Sequence, residues 1–207
     1  FLMKILIGSN VHWWNAEAEY AATIANLLKR DGHSVFVLTR PDSLNERRLK
    51  ELGLNLVTEI DLNTKNPFQL FLSYFKLKKF LLKEQIELIN AHRSEGFPLF
   101  VLAVRALRIL HPETFIPIVR TRGASRPISK HWLNIKMHTE WIDYYITAGE
   151  IVKESLSTDV NILKEKFKTI YYPVVCPVLP LNPSKDYWVE FNISKNSKVL
   201  AVVGRIR

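Results

Sequence analysis

Cysteine is almost absent from this sequence. Cys176 is the only one among 207 residues, so no internal disulfide can form and no thiolate metal cluster is suggested. One cysteine suits a reducing compartment. Glycine is also scarce, with 7 in the chain, and no G-x-G-x-x-G run follows the first apolar segment. That argues against a standard dinucleotide fingerprint. No stretch approaches the ~20 apolar residues that a bilayer-spanning helix needs. No secretory leader is visible, so a cytoplasmic location is expected. Acidic residues are outnumbered, 20 against 29 Lys and Arg, which leaves a formal net charge of +9. Such an excess favours a polyanion: nucleic acid, an anionic membrane surface or a phosphorylated small molecule. A merely basic solvated surface would look the same. No helix-turn-helix, zinc-finger or RNA-recognition signature is present, so nucleic acid is not the expected partner.

What the sequence does contain is alternation. Apolar runs ending on small residues, such as Lys4–Gly8 (KILIG) and Ser34–Thr39 (SVFVLT), read as buried strands. Further strands are expected at 54–57, 86–91, 115–119, 144–147 and 169–172. Between them lie stretches of helical spacing: 15–30, 44–52, 67–83, 98–110, 130–139 and 149–156. Asp31-Gly32 supplies a helix stop, and Pro67 a helix start. Strands alternating with helices imply a doubly wound, Rossmann-like α/β fold, a parallel sheet with helices on both faces. The reading begins at Met3, with Phe1 and Leu2 left out. Residues 3–172 form this domain. Pro173, Pro177, Pro180 and Pro183 mark a linker over 173–197. Residues 198–207, with the apolar run KVLAVV, are expected to open a second domain cut short, so that the chain is the first half of a longer protein.

Ligands on doubly wound sheets sit beyond the carboxyl ends of the strands. That rule selects four loops. The first, SNVHWWNAEAEY, offers Trp14 and Asn15 before a helix start; the tryptophans could stack on a sugar or base, or staple the loop to the core. The second places His92 after the fourth strand, beside Arg93, Ser94 and Glu95. The third, RTRGASRPIS, carries Arg120, Arg122 and Arg126 just past the fifth strand, around Gly123. Guanidinium forks suit phosphate and carboxylate. Gly123 permits a positive φ or close backbone approach. One arginine is expected to brace the loops, pairing with Glu150 or another acid, and at least one to face a ligand. The fourth loop ends in Glu150, favourable at a helix N-terminus. Residues 74–83 (YFKLKKFLLK) are basic and apolar; packing on the sheet explains them, with membrane contact by the lysine side as an addition.

Together these segments resemble the GT-B glycosyltransferases, in particular glycosyltransferase family 4. The resemblance rests on MKILIGSN, IANLLKRDGHSVFVLT, ELINAHRS, PIVRTRGASRP, YYITAGEIVKESL, KTIYYPVV and VLAVVGRIR, in that order. It implies two Rossmann-like domains, the N-terminal one holding the acceptor and the C-terminal one the nucleotide-sugar. It implies transfer with retained anomeric configuration, with no bound metal and no cofactor beyond the nucleotide-sugar co-substrate. The expected acceptor is a glycan, a polyprenyl-phosphate or another lipid-linked molecule of cell-surface polysaccharide or lipopolysaccharide synthesis, at the inner membrane face. By the same resemblance His92 matches a histidine near the acceptor, and Arg205 an arginine on the donor diphosphate. His92 and Arg122 are the expected catalytic pair; Trp14, Asn15, Arg120, Gly123, Arg126 and Glu150 are expected to bind acceptor or phosphate. Two departures stand out. Trp14-Asn15-Ala16 replaces a glycine turn, and Gly123 stands where relatives often carry a histidine. A sugar-nucleotide epimerase or a non-catalytic sugar-binding domain is the alternative of the same fold. The fragment alone is expected to be inactive.

Overall fold

In the computed structural model, residues 1–125, 127–173, 186–194 and 196–200 are described. The chain divides into two units, Phe1–Pro173 and Val174–Arg207. The first is the α/β domain. Its elements run β1 (Lys4–Ser9), α1 (Ala16–Arg30), β2 (Ser34–Thr39), α2 (Leu44–Glu51), β3 (Asn55–Val57), α3 (Pro67–Lys83), β4 (Leu88–Ala91), α4 (Phe97–Leu110), β5 (Ile118–Arg122), α5 (Trp132–Lys136), β6 (Tyr144–Thr147), α6 (Glu150–Val160) and β7 (Phe167–Thr169). In the second unit, the described residues include one helical turn, α7 (Tyr187–Glu190).

The strands form one parallel sheet in the order β3-β2-β1-β4-β5-β6-β7. Both faces are covered, as a parallel sheet requires. On one face α1 and α2 close over Ile5, Ile7, Val35 and Val37. On the other, α3, α4 and α6 cover Leu6, Leu38, Ile89 and Ile118. Alternate residues of β1 thus feed opposite cores, which is the period of two at work. The strand order reverses between β1 and β4, where Ile7 lies opposite Asn90 and Gly8 opposite Ala91. The helices that follow these two strands leave toward opposite faces, and a crevice opens between them.

Most expected elements fall where the patterning puts them; β4 starts two residues late and α6 runs on to Val160, and three further shifts matter more. β5 begins at Ile118, not Phe115. Pro117 has no N–H for a ladder, and the strand starts only after its carbonyl accepts from Ile89 N at 3.0 Å. The Ile118 N–H goes to the Asp143 carboxylate at 2.7 Å. Consequently Arg120 and Arg122 lie within the strand and not past it. The helix expected over 130–139 is short, and its continuation Met137–Trp141 is a π-helical turn. β7 pairs Phe167 with Tyr145 and Thr169 with Thr147, which leaves Tyr171 and Tyr172 beyond the sheet. Of the strand expected at 198–203, residues 198–200 carry no strand pairing; 201–207 lie outside the described residues. Among the described residues, no helix is long and apolar enough to cross a membrane.

Candidate functional site

A cavity of about 170 Å³ opens at the carboxyl ends of β4 and β5. Its wall includes His92, Arg93, Arg120, Arg122, Gly123 and Glu17, so three arginines face one carboxylate. His92 sits directly after β4, its N–H donating to the Gly8 carbonyl at 3.1 Å. Its side chain is 4% exposed, and Nε2 has no hydrogen-bond partner among the described residues. Burial, then the Arg120 charge, lowers its pKa to about 3. At neutral pH it is therefore an uncharged imidazole with one nitrogen unengaged. Nε2 itself has almost no accessible surface, so it reaches a sugar hydroxyl only when the cavity wall shifts, and it is a weak base.

Arg120 is the bracing arginine. It is 3% exposed, its guanidinium stacks 4.5 Å over the Phe97 ring, and it donates to the Arg93 carbonyl and to Ser94 Oγ at 3.3 Å. It thereby holds the β4–α4 loop against β5. Burial and neighbouring Arg122 lower its pKa to about 9, so it remains a cation at neutral pH. Arg93 pairs with Glu17 and, at 3.0 Å, with Glu95. Those acids answer Arg93, and Arg120 braces through carbonyls and a hydroxyl rather than through Glu150. Glu150 instead pairs with Lys153 at 3.5 Å. It lines a separate groove along α6 and does not reach the cavity. Arg122 closes β5, is half-buried, and lines the cavity.

The first loop holds Trp14 and Asn15 by structural contacts. Asn15 caps α1, its side-chain oxygen accepting from Ala18 N at 3.0 Å. Trp14 packs on the α1–α2 core and donates its indole N–H to Glu19 at 2.7 Å. Trp13 is the exposed one, 5.8 Å from the Arg93 guanidinium. Gly96 needs its glycine: φ is +78°, and a Cβ would meet Leu62.

Gly123 has no positive φ. Close approach is what its position demands. A Cβ there would fall on the Tyr172 hydroxyl, and 3.3 Å from Glu17 Cγ. Tyr172 packs on Tyr20 with ring centroids 4.4 Å apart, and Tyr20 packs on His92 at 5.6 Å. Burial raises the Tyr172 hydroxyl pKa, with Tyr20 adding to it, so the group stays protonated. The place of a side chain at 123 is thus filled from the segment after β7. Sequence reading missed Tyr172, because nothing in its own neighbourhood links it to Gly123. It also missed His138, buried in the π-turn and hydrogen-bonded to Tyr145 Oη at 2.8 Å. Arg126 and Arg205 lie outside the described residues. Among the described residues, no group of three or more His, Cys, Asp or Glu is placed to hold a metal.

Residues 18–176 match the model of Glycosyltransferase Family 4. The chain belongs to glycosyltransferase family 4. Solved structures of similar fold include a glycosyltransferase from Rickettsia africae, 17% identical, with a TM-score of 0.72 over 94% of this chain and 51% of that one. The apo lipopolysaccharide outer core galactosyltransferase WaaB is 15% identical, with a TM-score of 0.63 over 89% and 50%. The UDP-GlcNAc 2-epimerase of Methanocaldococcus jannaschii is 14% identical, with a TM-score of 0.57 over 82% and 45%. No curated protein sequence matches. This family 4 chain spans about half the length of the structures it resembles, and at these identities the likeness establishes the GT-B-type fold alone.

Proposed function

We propose that the chain is the N-terminal, acceptor-binding part of a retaining glycosyltransferase. It would act with a nucleotide-sugar donor on a glycan, a polyprenyl-phosphate or another lipid-linked acceptor. The observation that carries this is the cavity at the switch point. There a buried neutral His92 and Arg93, Arg120 and Arg122, answered by Glu17 and Glu95, surround a space of sugar size.

Each group has a distinct task in this reading. Arg120 shapes the loop and adds fixed positive charge. Arg122, at the cavity wall, faces the anionic part of the acceptor or the departing diphosphate, where fixed charge stabilises the transition state more than the ground state. His92 orients a hydroxyl through Nε2. The Tyr172 hydroxyl, beside Gly123, takes the hydrogen-bonding place that a histidine fills in related enzymes. No cofactor or metal enters; the nucleotide-sugar is a co-substrate, bound mostly by the domain that follows, with Arg205 on its diphosphate. The setting is cytoplasmic, at the inner membrane face.

The full-length enzyme tests this with labelled nucleotide-sugars and lipid-phosphate acceptors. Transfer that falls at least a hundredfold in Arg122→Ala, with donor affinity little changed, is expected. Tight UDP or GDP binding to the 207-residue chain alone, measured by calorimetry, would refute the acceptor-side assignment. The likeness to a UDP-GlcNAc 2-epimerase motivates a second reading. Epimerised sugar released without transfer would establish it in place of the first.

A further inference from the structure

Helix α3 has two apolar stripes and buries only one. Leu77 and Leu81 enter the core, with Tyr74 and Phe80 packed against it. On the other side Phe68, Phe71, Leu72 and Phe75 are 68%, 58%, 41% and 48% exposed. Their spacing places all four on one face at 100° per residue. A surface helix normally turns polar residues outward. Here the polar residues run beside the exposed stripe: Lys76, Lys79 and Lys83 along one flank, with Lys78 Nζ 5.6 Å from the Tyr74 ring and 5.8 Å from the Phe75 ring. Neither α3 nor α4 contains an Asp or Glu. Between the two helices a groove of about 570 Å³ is lined by Phe71, Tyr74, Leu102, Arg105 and Ile109 among others.

We propose that this α3–α4 face docks on an anionic lipid bilayer, with the aromatic stripe at the headgroup–acyl boundary and the lysines on lipid phosphates. The shape of the face selects this partner. A peptide helix seated in the groove would cover Phe71 and Tyr74. It would leave Phe68, Leu72 and Phe75 in water, because they do not line the groove. A bilayer surface deforms around crest and groove together. On the cationic flank only Lys83 meets an acid among the described residues, Glu84 at 3.4 Å, so Lys76 and Lys79 then select anionic headgroups. Sequence reading expected residues 74–83 to pack on the sheet, with membrane contact by the lysine side as an addition; Leu77 and Leu81 do pack, and Phe75 shares the exposed face with the lysines. Helix α4 begins directly after the loop that carries His92 and Arg93, so docking ties the cavity to the bilayer. This gives the lipid-linked acceptor reading a physical basis, and it rests on that reading for its purpose only.

The test is co-sedimentation of the chain with phosphatidylcholine vesicles, with and without phosphatidylglycerol. Binding to the anionic vesicles is expected. The double variant Phe71→Ser/Phe75→Ser should weaken it at least tenfold, and each of Lys76→Gln, Lys79→Gln and Lys83→Gln about fivefold. Phe71→Trp should gain quenching by lipids brominated in the acyl chains, whereas Leu27→Trp, on exposed α1 across the sheet, should not. This pair decides the matter even if the serine variant fails to fold. Three results overturn the proposal. One is the absence of anionic-vesicle binding. Another is binding lost with the lysines but untouched by the serines and without added Phe71→Trp quenching. The third is a lipid-free dimer that the serine variant dissolves. No sugar transfer is read, so failure here leaves the transferase assignment standing.

Discussion

Placing a methyl group at position 123 should reveal how tightly Tyr172 is held. In Gly123→Ala the new Cβ would fall on the Tyr172 hydroxyl, with Tyr172 Cζ and Glu17 Cγ each 3.3 Å away. The hydroxyl can retreat only if the ring leaves its edge contact with Tyr20, at 4.4 Å. Overpacking of this kind costs about 1–3 kcal/mol. Removing the hydroxyl instead, in Tyr172→Phe, leaves Cζ as the nearest ring atom, tight but tolerable. The single variant should therefore cost under about 1 kcal/mol, since it loses no hydrogen bond that holds the fold. The decisive quantity is the coupling. In Gly123→Ala/Tyr172→Phe the clash is relieved, so the pair should be more stable than Gly123→Ala alone by about 1–2 kcal/mol. Urea unfolding followed by circular dichroism measures all four proteins, with m-values compared to confirm a common unfolding reaction. Strictly additive effects would show that Tyr172 does not occupy the space over Gly123. Gly123→His, which copies the residue found in relatives, should be worse than alanine for the same reason. It restores a side chain only by expelling Tyr172.

Other outcomes follow from buried charge and buried imidazoles. His92 and His138 both have pKa values lowered to about 3 by burial and by the Arg120 charge. Between about pH 6.5 and 3 the unfolded chain binds these protons and the native one does not, so stability is full above pH 6.5 and falls as pH drops. The slope should reach about 1.4 kcal/mol per pH unit for each histidine. Melting temperatures from pH 7.5 to 4 should show it, and His92→Gln should remove roughly half; a slope unchanged in that variant would contradict a buried neutral His92. Arg120→Lys should destabilise by about 2–4 kcal/mol and loosen the β4–α4 loop in hydrogen exchange, because a lysine cannot span Arg93 O and Ser94 Oγ and stack on Phe97. A lysine variant as stable as wild type would refute the bracing role. Asp143→Ala should cost about 2–3 kcal/mol, since it strands the Ile118 N–H and one Arg108 donor now bonded at 2.7 and 2.8 Å; a thermal melt within a degree of wild type would disprove that account.

Much of this protein was determined by the sequence itself. Apolar runs of period two and stretches of period 3.6 are local signals, because each side chain's direction follows from backbone geometry. Their order dictates a parallel sheet, and the parallel sheet dictates that ligands gather at the loops after β1, β4 and β5. The position of His92 at that end of the sheet was legible for that reason, whereas Arg122 was expected past β5 and closes the strand instead. The tertiary structure decided what local signals cannot carry. Arg120 looks like a loop residue, since a charge inside a buried strand contradicts the pattern; only the carbonyls of the next loop and the Phe97 ring make that burial tolerable. Glu17 answers Arg93 from another element, and distance in space, not along the chain, sets that choice. The outer stripe of α3 has the same composition as a core stripe, so only packing shows which apolar side chains remain in contact with water. Gly123 is the sharpest case. Its glycine is required by a hydroxyl that arrives from beyond β7, and a contact between segments so distant along the chain leaves no trace in the spacing of either.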